Sequence, residues 1–350
     1  MVKCSEEEVR VANVSMRDVA ALAEVSHGTV SHFLNHPDRV SAKTAQRIQR
    51  AIETLGFVPN QAGRQLRMGK SATIAYIAPD VSNPFFATIA EGAEERAAEH
   101  GLSVFVANSR RQRAREDAYL DLFEQHRVRG MLVASHEPIE DRLALVRKRG
   151  TPSVLMGQVA VSEDQPSVSI DDVLGGRLAA EHLLQLGRRR IAFVGGPLGV
   201  RQVADRLQGA SDAIRESGSA TLEVVNVVER TVAGGRAVAR ELLARAAAVR
   251  PDGVFAVNDL LGLGMMQVLS SEGVRVPDDL ALIGYDDIEF AESSIVPLSS
   301  IRPPHEAFGY AAIELLVTEL SGRTEDPHQV FPPALVPRTS TTGEPIHTDV

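Results

Sequence analysis

The sequence predicts two unlike parts, an all-α helix-turn-helix head followed by an α/β body of two doubly wound subdomains with parallel sheets. Three short helical patterns occupy residues 15–55, whereas from residue 72 short aliphatic runs alternate with helical stretches. Continuous aliphatic strands separated by helices are typical of parallel sheets that are covered on both faces. Residues 15–70 carry eight basic and four acidic side chains, a formal charge of +4, so the rest of the −9 chain carries −13.

Serine residues mark where the helices of the head begin. Ser15 has Asp18 three positions later and precedes a helical repeat of apolar residues, so the pair predicts a capping box. Ser26 predicts a second helix about three residues after the first ends, which is the spacing of a helix-turn-helix. Ser41 predicts a third helix that runs through Leu55. The apolar residues expected in the core between the first two helices are Val25, Val30 and Leu34.

The second helix has a polar face that suits the major groove of DNA. Its side chains are small or hydrogen-bonding, and a recognition helix reads base edges and phosphates with such residues. A basic head on an acidic body is also the charge distribution of nucleic-acid binding confined to one end of a chain. The candidate DNA contacts on this helix are Ser26, His27, Thr29, Ser31, His32 and Asn35. The alternative is an ordinary three-helix domain whose polar face is only solvated.

The head resembles that of the lactose/galactose-repressor (LacI/GalR) family of bacterial transcription regulators. The shared motifs are Met16-Arg17-Asp18-Val19-Ala20-Ala21-Leu22-Ala23, Val25-Ser26, Thr29-Val30-Ser31, Leu34-Asn35, Val40-Ser41-Ala42-Lys43-Thr44, Gly56-Phe57-Val58-Pro59-Asn60 and Arg64-Gln65-Leu66. The resemblance continues to about residue 337. It implies that the body is a periplasmic-binding-protein-like sensor, and that closure of its two subdomains around a ligand changes the spacing of the two heads in a dimer.

The resemblance also implies a hinge helix at residues 60–68, which folds when two subunits meet on an operator. Leu66 falls where the family inserts a leucine between central base pairs through the minor groove. Such an apolar wedge unstacks one base step, kinks the duplex and lets more protein touch the DNA. Asn60 and Arg64 are the further DNA-binding candidates of this helix.

Four positions depart from the family pattern. His32 stands where the family usually has arginine, and a neutral histidine offers one donor and one acceptor instead of a bidentate fork. Gly28 stands where a longer base-reading side chain is common, and Glu24 replaces the usual glycine of the turn. Gly63 replaces an alanine of the hinge helix, which costs about 1 kcal/mol of helix stability. We therefore expect base reading to concentrate on His27, Thr29 and His32.

These signals predict the domain boundaries of the chain. They are a flexible N-terminal extension (1–14), the head (15–59), a hinge and linker (60–70), an effector-binding and dimerisation domain (71–337) and a tail without leucine heptads (338–350). By analogy with the family, the first subdomain is expected at about 71–160 and 292–325, and the second at about 161–291 and 326–337. The chain would cross between them near 157–166, 287–297 and 325–330.

Candidate effector-binding residues follow the predicted strands. In open parallel sheets, ligands bind at the carboxyl ends of the strands. The candidates at such positions are Asp80, Phe85, Arg206, Asn258 and Asp286. Planar guanidinium and carboxylate groups suit the vicinal hydroxyls of a sugar, and the resemblance assigns Arg206 such a contact. The alternative for Asn258 and Asp286 is that they only cap helices or turns, as Asp171 is expected to do.

Arg230 lies where several members of the family place an aromatic ring over the ligand. A cation at this position suits an acidic or phosphorylated effector. The interpretation preferred from the sequence alone is nevertheless a solvated surface arginine.

Composition and motifs exclude several other classes of protein. The chain has one cysteine, Cys4, so it forms no internal disulfide and no cysteine-based zinc cluster. The N-terminus is acidic without the apolar core of a signal peptide, and no apolar run reaches the ~20 residues of a membrane span. There is no Gly-x-x-x-x-Gly-Lys phosphate loop and no Gly-x-Ser-x-Gly elbow. We therefore expect a cytoplasmic protein that is not an enzyme and uses no cofactor or metal.

Two other classes of protein are alternatives to a regulator. A sugar-binding transport protein would share the body fold, but it would need an export signal and would have no basic head. A sugar kinase or dehydrogenase would need a phosphate or dinucleotide loop, of which Gly195-Gly196-Pro197 is a weak imitation. The sequence thus predicts a repressor that binds a pseudo-palindromic DNA operator as a homodimer and responds to a small-molecule effector, a sugar or sugar derivative. An activator or a co-repressor-dependent regulator stays open.

Overall fold

The computed structural model describes residues 14–58, 71–322 and 326–343 of the chain. The chain divides into two compact units, Met1–Lys70 and Ser71–Val350. Each unit has its own apolar core. The division falls at the predicted end of the linker, while the hinge helix expected at 60–68 lies outside the described residues.

Capping explains where the helices of the head begin. The described residues of the head form α1 (Met16–Leu22), α2 (His27–Asn35) and α3 (Ala42–Leu55), with a 3-10 turn at Pro37–Arg39. The backbone nitrogen of Ser15 donates to Asp18 Oδ2 at 2.8 Å, which completes the predicted capping box. The backbone nitrogen of Thr29 donates to Ser26 Oγ at 3.1 Å and caps α2. The predicted helix-turn-helix spacing is confirmed.

The three helices of the head enclose a small core. Val19, Val30 and Ile48, one from each helix, are fully buried. Val25 and Leu34, which the sequence placed in this core, are partly buried and pack against it. The head therefore has enough apolar contact to position the polar face of α2.

A side chain of α3 stabilises the turn between α1 and α2. Glu24 has a φ of 48°, a left-handed conformation that favours glycine over residues with a side chain. Arg47 Nη2 donates to both the backbone oxygen and the carboxylate of Glu24, each at 3.0 Å. These bonds offset the strain at the position where glutamate replaces the glycine usual in the family.

The body alternates strands and helices throughout. In chain order the described elements are β1 (Thr73–Ala78), α4 (Pro84–Glu99), β2 (Ser103–Asn108), α5 (Arg113–Gln125), β3 (Gly130–Ala134), α6 (Glu140–Lys148), β4 (Ser153–Met156), β5 (Ser167–Ile170), α7 (Asp172–Gln185), β6 (Arg190–Gly195), α8 (Arg201–Ser217), β7 (Thr221–Asn226), α9 (Val232–Leu243), β8 (Gly253–Ala256), α10 (Asp259–Ser271), β9 (Ala281–Ile283), α11 (Glu289–Glu292), β10 (Ser300–Arg302), α12 (His305–Leu320), β11 (His328–Phe331), β12 (Ala334–Val336) and α13 (Thr339–Thr342). Every strand predicted from an aliphatic run is present. Within the described ranges, no helix is long and apolar enough to cross a membrane.

The first subdomain is built on a six-stranded parallel sheet. Its strand order is β11-β5-β4-β3-β1-β2. Residues alternate across the sheet, so Ile74 and Tyr76 of β1 face a core with α4 and α12, while Ala75 and Ile77 face a core with α5 and α6. Apolar residues on both faces explain why this strand is a continuous aliphatic run.

The second subdomain is built on a four-stranded parallel sheet of order β7-β6-β8-β9. Helix α7 packs against α8, and α9 packs against α10. The α7–α8 crossing is close because glycines lie at the contact. A Cβ added to Gly209 would lie 1.8 Å from the backbone oxygen of Val173, and one added to Gly176 would lie 1.9 Å from that of Arg206. The separate antiparallel pair β10-β12 adjoins this sheet through a bridge between Ile283 and Ser299.

The subdomain boundaries differ from the predicted ones. Strands β5 and β11 pair with each other and with the first sheet, although the prediction assigned 161–291 and 326–337 to the second subdomain. The chain crosses between the sheets near residues 171, 303 and 332, so the predicted number of crossings holds but their positions shift. The polar segment at 157–166 is the loop that joins β4 to β5 within one sheet.

Candidate functional site

The polar face of α2 offers exposed groups for DNA. His27 and His32 are exposed, while Thr29 and Ser31 are partly buried. The hydroxyl of Ser26 lies 2.8 Å from that of Thr29 and accepts from the backbone nitrogen of that residue, so it serves first as a cap. The exposed histidines are therefore the side chains of this face with most freedom to reach a base.

Part of the predicted DNA surface is not described. Asn35 ends α2, and nothing is described of its side chain. Asn60, Arg64 and Leu66 lie outside the described residues, so their roles in the hinge remain predictions.

All five predicted effector residues line one cleft between the subdomains of the body. These residues are Asp80, Phe85, Arg206, Asn258 and Asp286. The empty space of the cleft is about 850 Å³, part of it open to solvent. Several lining residues directly follow strands, as the rule for open parallel sheets requires.

Arg206 is the fixed centre of the cleft. Its Nε donates to Asp172 Oδ1 at 2.8 Å and its Nη1 donates to the backbone oxygen of Val257 at 2.6 Å. The guanidinium lies 3.4 Å from the ring centroid of Tyr285, and Asp286 Oδ1 lies 3.8 Å from Nη1. Because hydrogen bonds fix the edge of the guanidinium and Tyr285 packs against its face, Arg206 and its carboxylates form a rigid polar wall.

Asp286 joins the two subdomains. Its backbone has a φ of 98°, which turns the chain sharply after β9. Asn83 of the first subdomain donates from Nδ2 to Asp286 Oδ2 at 3.1 Å, and His305 Nε2 donates to its backbone oxygen. Burial raises the pKa of the Asp286 carboxyl, and nearby Arg206 opposes this rise. Asp286 is thus part of the cleft wall and of the contact that closes it.

The remaining candidates have structural contacts as well as a place in the cleft. Asn258 Oδ1 accepts from the backbone nitrogen of Leu261 at 3.1 Å, so the capping alternative is correct for this oxygen. Asp80 pairs with Arg111 at 3.4 Å. The ring of Phe85 packs edge-on against His305, with centroids 5.5 Å apart. A half-buried aromatic ring at the cleft suits packing against the face of a sugar.

The interpretation of Arg230 as a solvated surface residue is wrong. Arg230 is partly buried and lines the cleft. Its Nη1 donates to the backbone oxygen of Gly196 at 2.9 Å, and its Nη2 donates to His136 Nδ1 at 3.2 Å. Burial, together with Arg111 and Arg206, lowers the pKa of Arg230 to about 10. The loop after β7 turns this side chain inward.

Comparison with known proteins identifies the family to which this chain belongs. The profile of bacterial regulatory proteins of the lacI family matches residues 15–60, and that of periplasmic binding protein-like domains matches residues 180–341. The HTH-type transcriptional regulator CelR of Thermobifida fusca is 38% identical over 317 residues, 88% of this chain and 92% of that protein. The chain belongs to the LacI family. It is accordingly a DNA-binding transcriptional regulator whose helical head is the family's DNA-binding domain.

Solved structures of LacI-family proteins share the fold of the whole chain. The transcriptional regulator CelR–cellobiose complex matches with a TM-score of 0.68 and 34% identity, over 93% of this chain and 99% of that one. The Lac repressor dimer bound to operator and the anti-inducer ONPF matches with a TM-score of 0.80 and 27% identity, over 94% and 99%. The predicted head and periplasmic-binding-protein-like body are confirmed.

The polar residues that line the cleft include Asp172, His136 and Arg111, which are not among the effector candidates from the sequence. Asp172 is next to Asp171, and only Asp171 caps α7, by accepting from Leu174 at 2.9 Å. Asp172 instead turns inward to Arg206. His136 follows β3, so the strand-end rule could have found it, whereas Arg111 lies in a loop with a φ of 58° that gives no sequence signal.

Proposed function

We propose that this chain is a transcriptional repressor that binds a pseudo-palindromic operator as a homodimer and is controlled by a sugar or sugar derivative bound in the cleft of the body. The observation that carries the proposal is the buried cluster of Arg206, Asp172 and Asp286 at the meeting of two subdomains. A guanidinium and two carboxylates in fixed positions supply the donors and acceptors that hydroxyl groups need. Phe85 adds an apolar face for the ring of a sugar.

The relatives support each part of this proposal. CelR has been solved with cellobiose, and the Lac repressor has been solved as a dimer on its operator. A two-fold dimer presents identical heads, so its operator has matching half-sites. We further propose that the chain is cytoplasmic and has no catalytic activity, since its relatives are regulators.

The edge strands of both sheets offer a surface for a second copy. Strand β2 ends the first sheet and exposes Phe105 and Val106, while β7 ends the second sheet and exposes Val224. Exposed edge strands with apolar side chains are prone to pairing unless they are covered. In the proposed homodimer the partner subunit covers these edges.

Breaking this surface should separate the subunits. Phe105→Asp is expected to weaken dimerisation by roughly tenfold or more, because it places a charge in a desolvated contact. Sedimentation equilibrium of the full chain measures the change. Leu145→Asp is the matched control, since Leu145 is also exposed but lies on α6 instead of an edge strand. A Phe105→Asp protein as dimeric as the control would contradict this placement of the interface.

Operator binding tests the proposed function itself. Selection from a random duplex library by the full-length chain, at two salt concentrations, is expected to enrich a symmetric site with a central kinkable CG step. Addition of sugars to the selected complex then identifies the effector and shows whether it releases or recruits the protein. A chain that enriches no site under either salt condition, with or without sugars, would argue against a regulator.

His32 is expected to set the base preference at one base pair of each operator half-site. His32→Ala is expected to lower operator affinity by roughly 2- to 10-fold and to relax base preference at that position, because one hydrogen bond is lost. Competition between half-site variants measures both effects. Gln46→Ala removes an exposed polar side chain from α3 and should leave base preference unchanged. Equal preference in the His32→Ala and unaltered proteins would remove His32 from the base contacts.

A further inference from the structure

The three arginines of the cleft differ in their counter-ions. Arg206 is paired with two carboxylates, and Arg111 is paired with Asp80. Arg230 has no carboxylate oxygen within 4.0 Å among the described residues. It donates instead to two neutral acceptors, the backbone oxygen of Gly196 and a nitrogen of His136. One charged group of the cleft wall is therefore held in place without a direct ion pair, although the more distant carboxylates of Asp286 and Asp80 favour its charge.

This arrangement is electrostatically unfavourable as it stands. Burial removes water from the Arg230 guanidinium, and the positive charges of Arg111 and Arg206 disfavour its charged form. A buried charge is stabilised when an opposite charge lies beside it. At neutral pH Arg230 still bears its charge, so an anion that enters the cleft would find a preformed cation that is not already in an ion pair.

His136 adds a second donor at the same place. An arginine can only donate, so the Nδ1 of His136 must accept from Arg230. Burial and the neighbouring arginines lower the pKa of His136 to about 3, so its ring is neutral and has its proton on Nε2. His136 and Arg230 come from different subdomains and both line the cleft. Together with Arg111 they form what we name the cationic wall.

We propose that the effector of this chain carries an anionic group, a carboxylate or a phosphate, which binds at the cationic wall of Arg111, His136 and Arg230. The proposal rests on the proposed function, because it specifies the effector class as a sugar acid or sugar phosphate. The hydroxyl groups of the same molecule would meet Arg206 and Asp286, which line the same cleft. A neutral sugar would leave Arg230 without a counter-ion in the closed cleft.

The test uses the full-length chain with defined probes. Glucuronate, glucose 6-phosphate and inorganic phosphate are titrated beside glucose, with chloride holding the ionic strength constant, and binding is followed by calorimetry and by melting temperature. Glucuronate and glucose 6-phosphate separate the carboxylate from the phosphate, and inorganic phosphate probes the wall without any sugar. At least one anionic probe is expected to bind more tightly than glucose.

Variants of Arg230 decide whether that preference comes from the cationic wall. Arg230→Gln is expected to lose roughly 10- to 100-fold in affinity for the anionic probe and little for glucose. Arg230→Lys, which keeps the charge, should retain part of the preference. Arg240→Gln removes an exposed arginine from α9 outside the cleft and is the matched control.

Three results would overturn the proposal: no binding of any anionic probe, equal binding of glucose and the anionic probes, or an Arg230→Gln protein with unchanged preference. Operator binding without probes is measured on the same samples. Its loss would count against the regulatory function and not against the cationic wall, so the two failures are distinguishable.

Discussion

Replacing Gly209 with alanine is expected to lower the melting temperature of the body by roughly 5 to 10 °C. The added Cβ would lie 1.8 Å from the backbone oxygen of Val173 and 2.8 Å from the backbone nitrogen of Arg177. Neither atom belongs to a flexible side chain, so α7 and α8 must move apart. The cost is on the order of 3 kcal/mol, the upper part of the usual range for overpacking.

The same substitution should also weaken the effector site. Asp172 begins α7 and Arg206 lies on α8, so separating the helices lengthens their 2.8 Å hydrogen bond. Thermal unfolding followed by circular dichroism measures the first effect, and effector titration measures the second. Gly199→Ala is the control, because a Cβ at Gly199 meets nothing within 4 Å. Equal melting temperatures for the two variants would mean that the helices do not cross as closely as described.

Replacing Arg206 with alanine is expected to abolish the effector response, with a loss in affinity of roughly 100-fold or more. The substitution removes the central donor of the cleft and leaves the buried carboxylate of Asp172 without its partner. Stranding a buried charge in this way costs about 3–5 kcal/mol of folding stability. Operator binding should persist, since the head is a compact unit of its own.

The pH dependence of stability distinguishes a stranded charge from a simple packing defect. Burial raises the pKa of Asp172, and Arg206 opposes that rise. Without Arg206 this rise is larger, so the folded chain binds the proton still more tightly than the unfolded chain does, and its stability decreases more as the pH rises above the unfolded pKa. The stability difference from the unaltered protein should therefore be smaller at about pH 5 than at about pH 8.

A second substitution provides a matched check on this explanation. Adding Asp172→Asn to the Arg206→Ala chain should restore part of its stability, because a neutral amide is less costly to bury without a partner. A difference in stability that is the same at both pH values, and that Asp172→Asn does not reduce, would contradict the explanation.

Local signals in the sequence predicted the head and the strands of the body well. The serine caps depend on residues three positions apart, and the aliphatic runs reflect burial on both faces of each strand. The candidate effector residues were found because strand ends gather at one edge of a sheet. These features need only short-range information or a general rule of the fold.

The features that the sequence did not predict depend on contacts between distant segments. Strand β5 is four residues long and joins the first sheet only through pairing with β4 and β11. The inward turn of Arg230 depends on acceptors from Gly196 and His136, which are far away along the chain. Asp171 and Asp172 are chemically identical neighbours, and only the packing of α7 decides which one caps and which one faces Arg206.

The link between Glu24 and Arg47 limits how the basic charge of the head can be interpreted. Arg47 is one of the positive side chains of the head, yet its guanidinium is committed to the turn between α1 and α2. Affinity for DNA falls with salt in proportion to the number of phosphates that a protein neutralises. The salt dependence of operator binding would therefore report fewer phosphate contacts than a tally of lysines and arginines suggests, because at least one of those charges maintains the shape of the head.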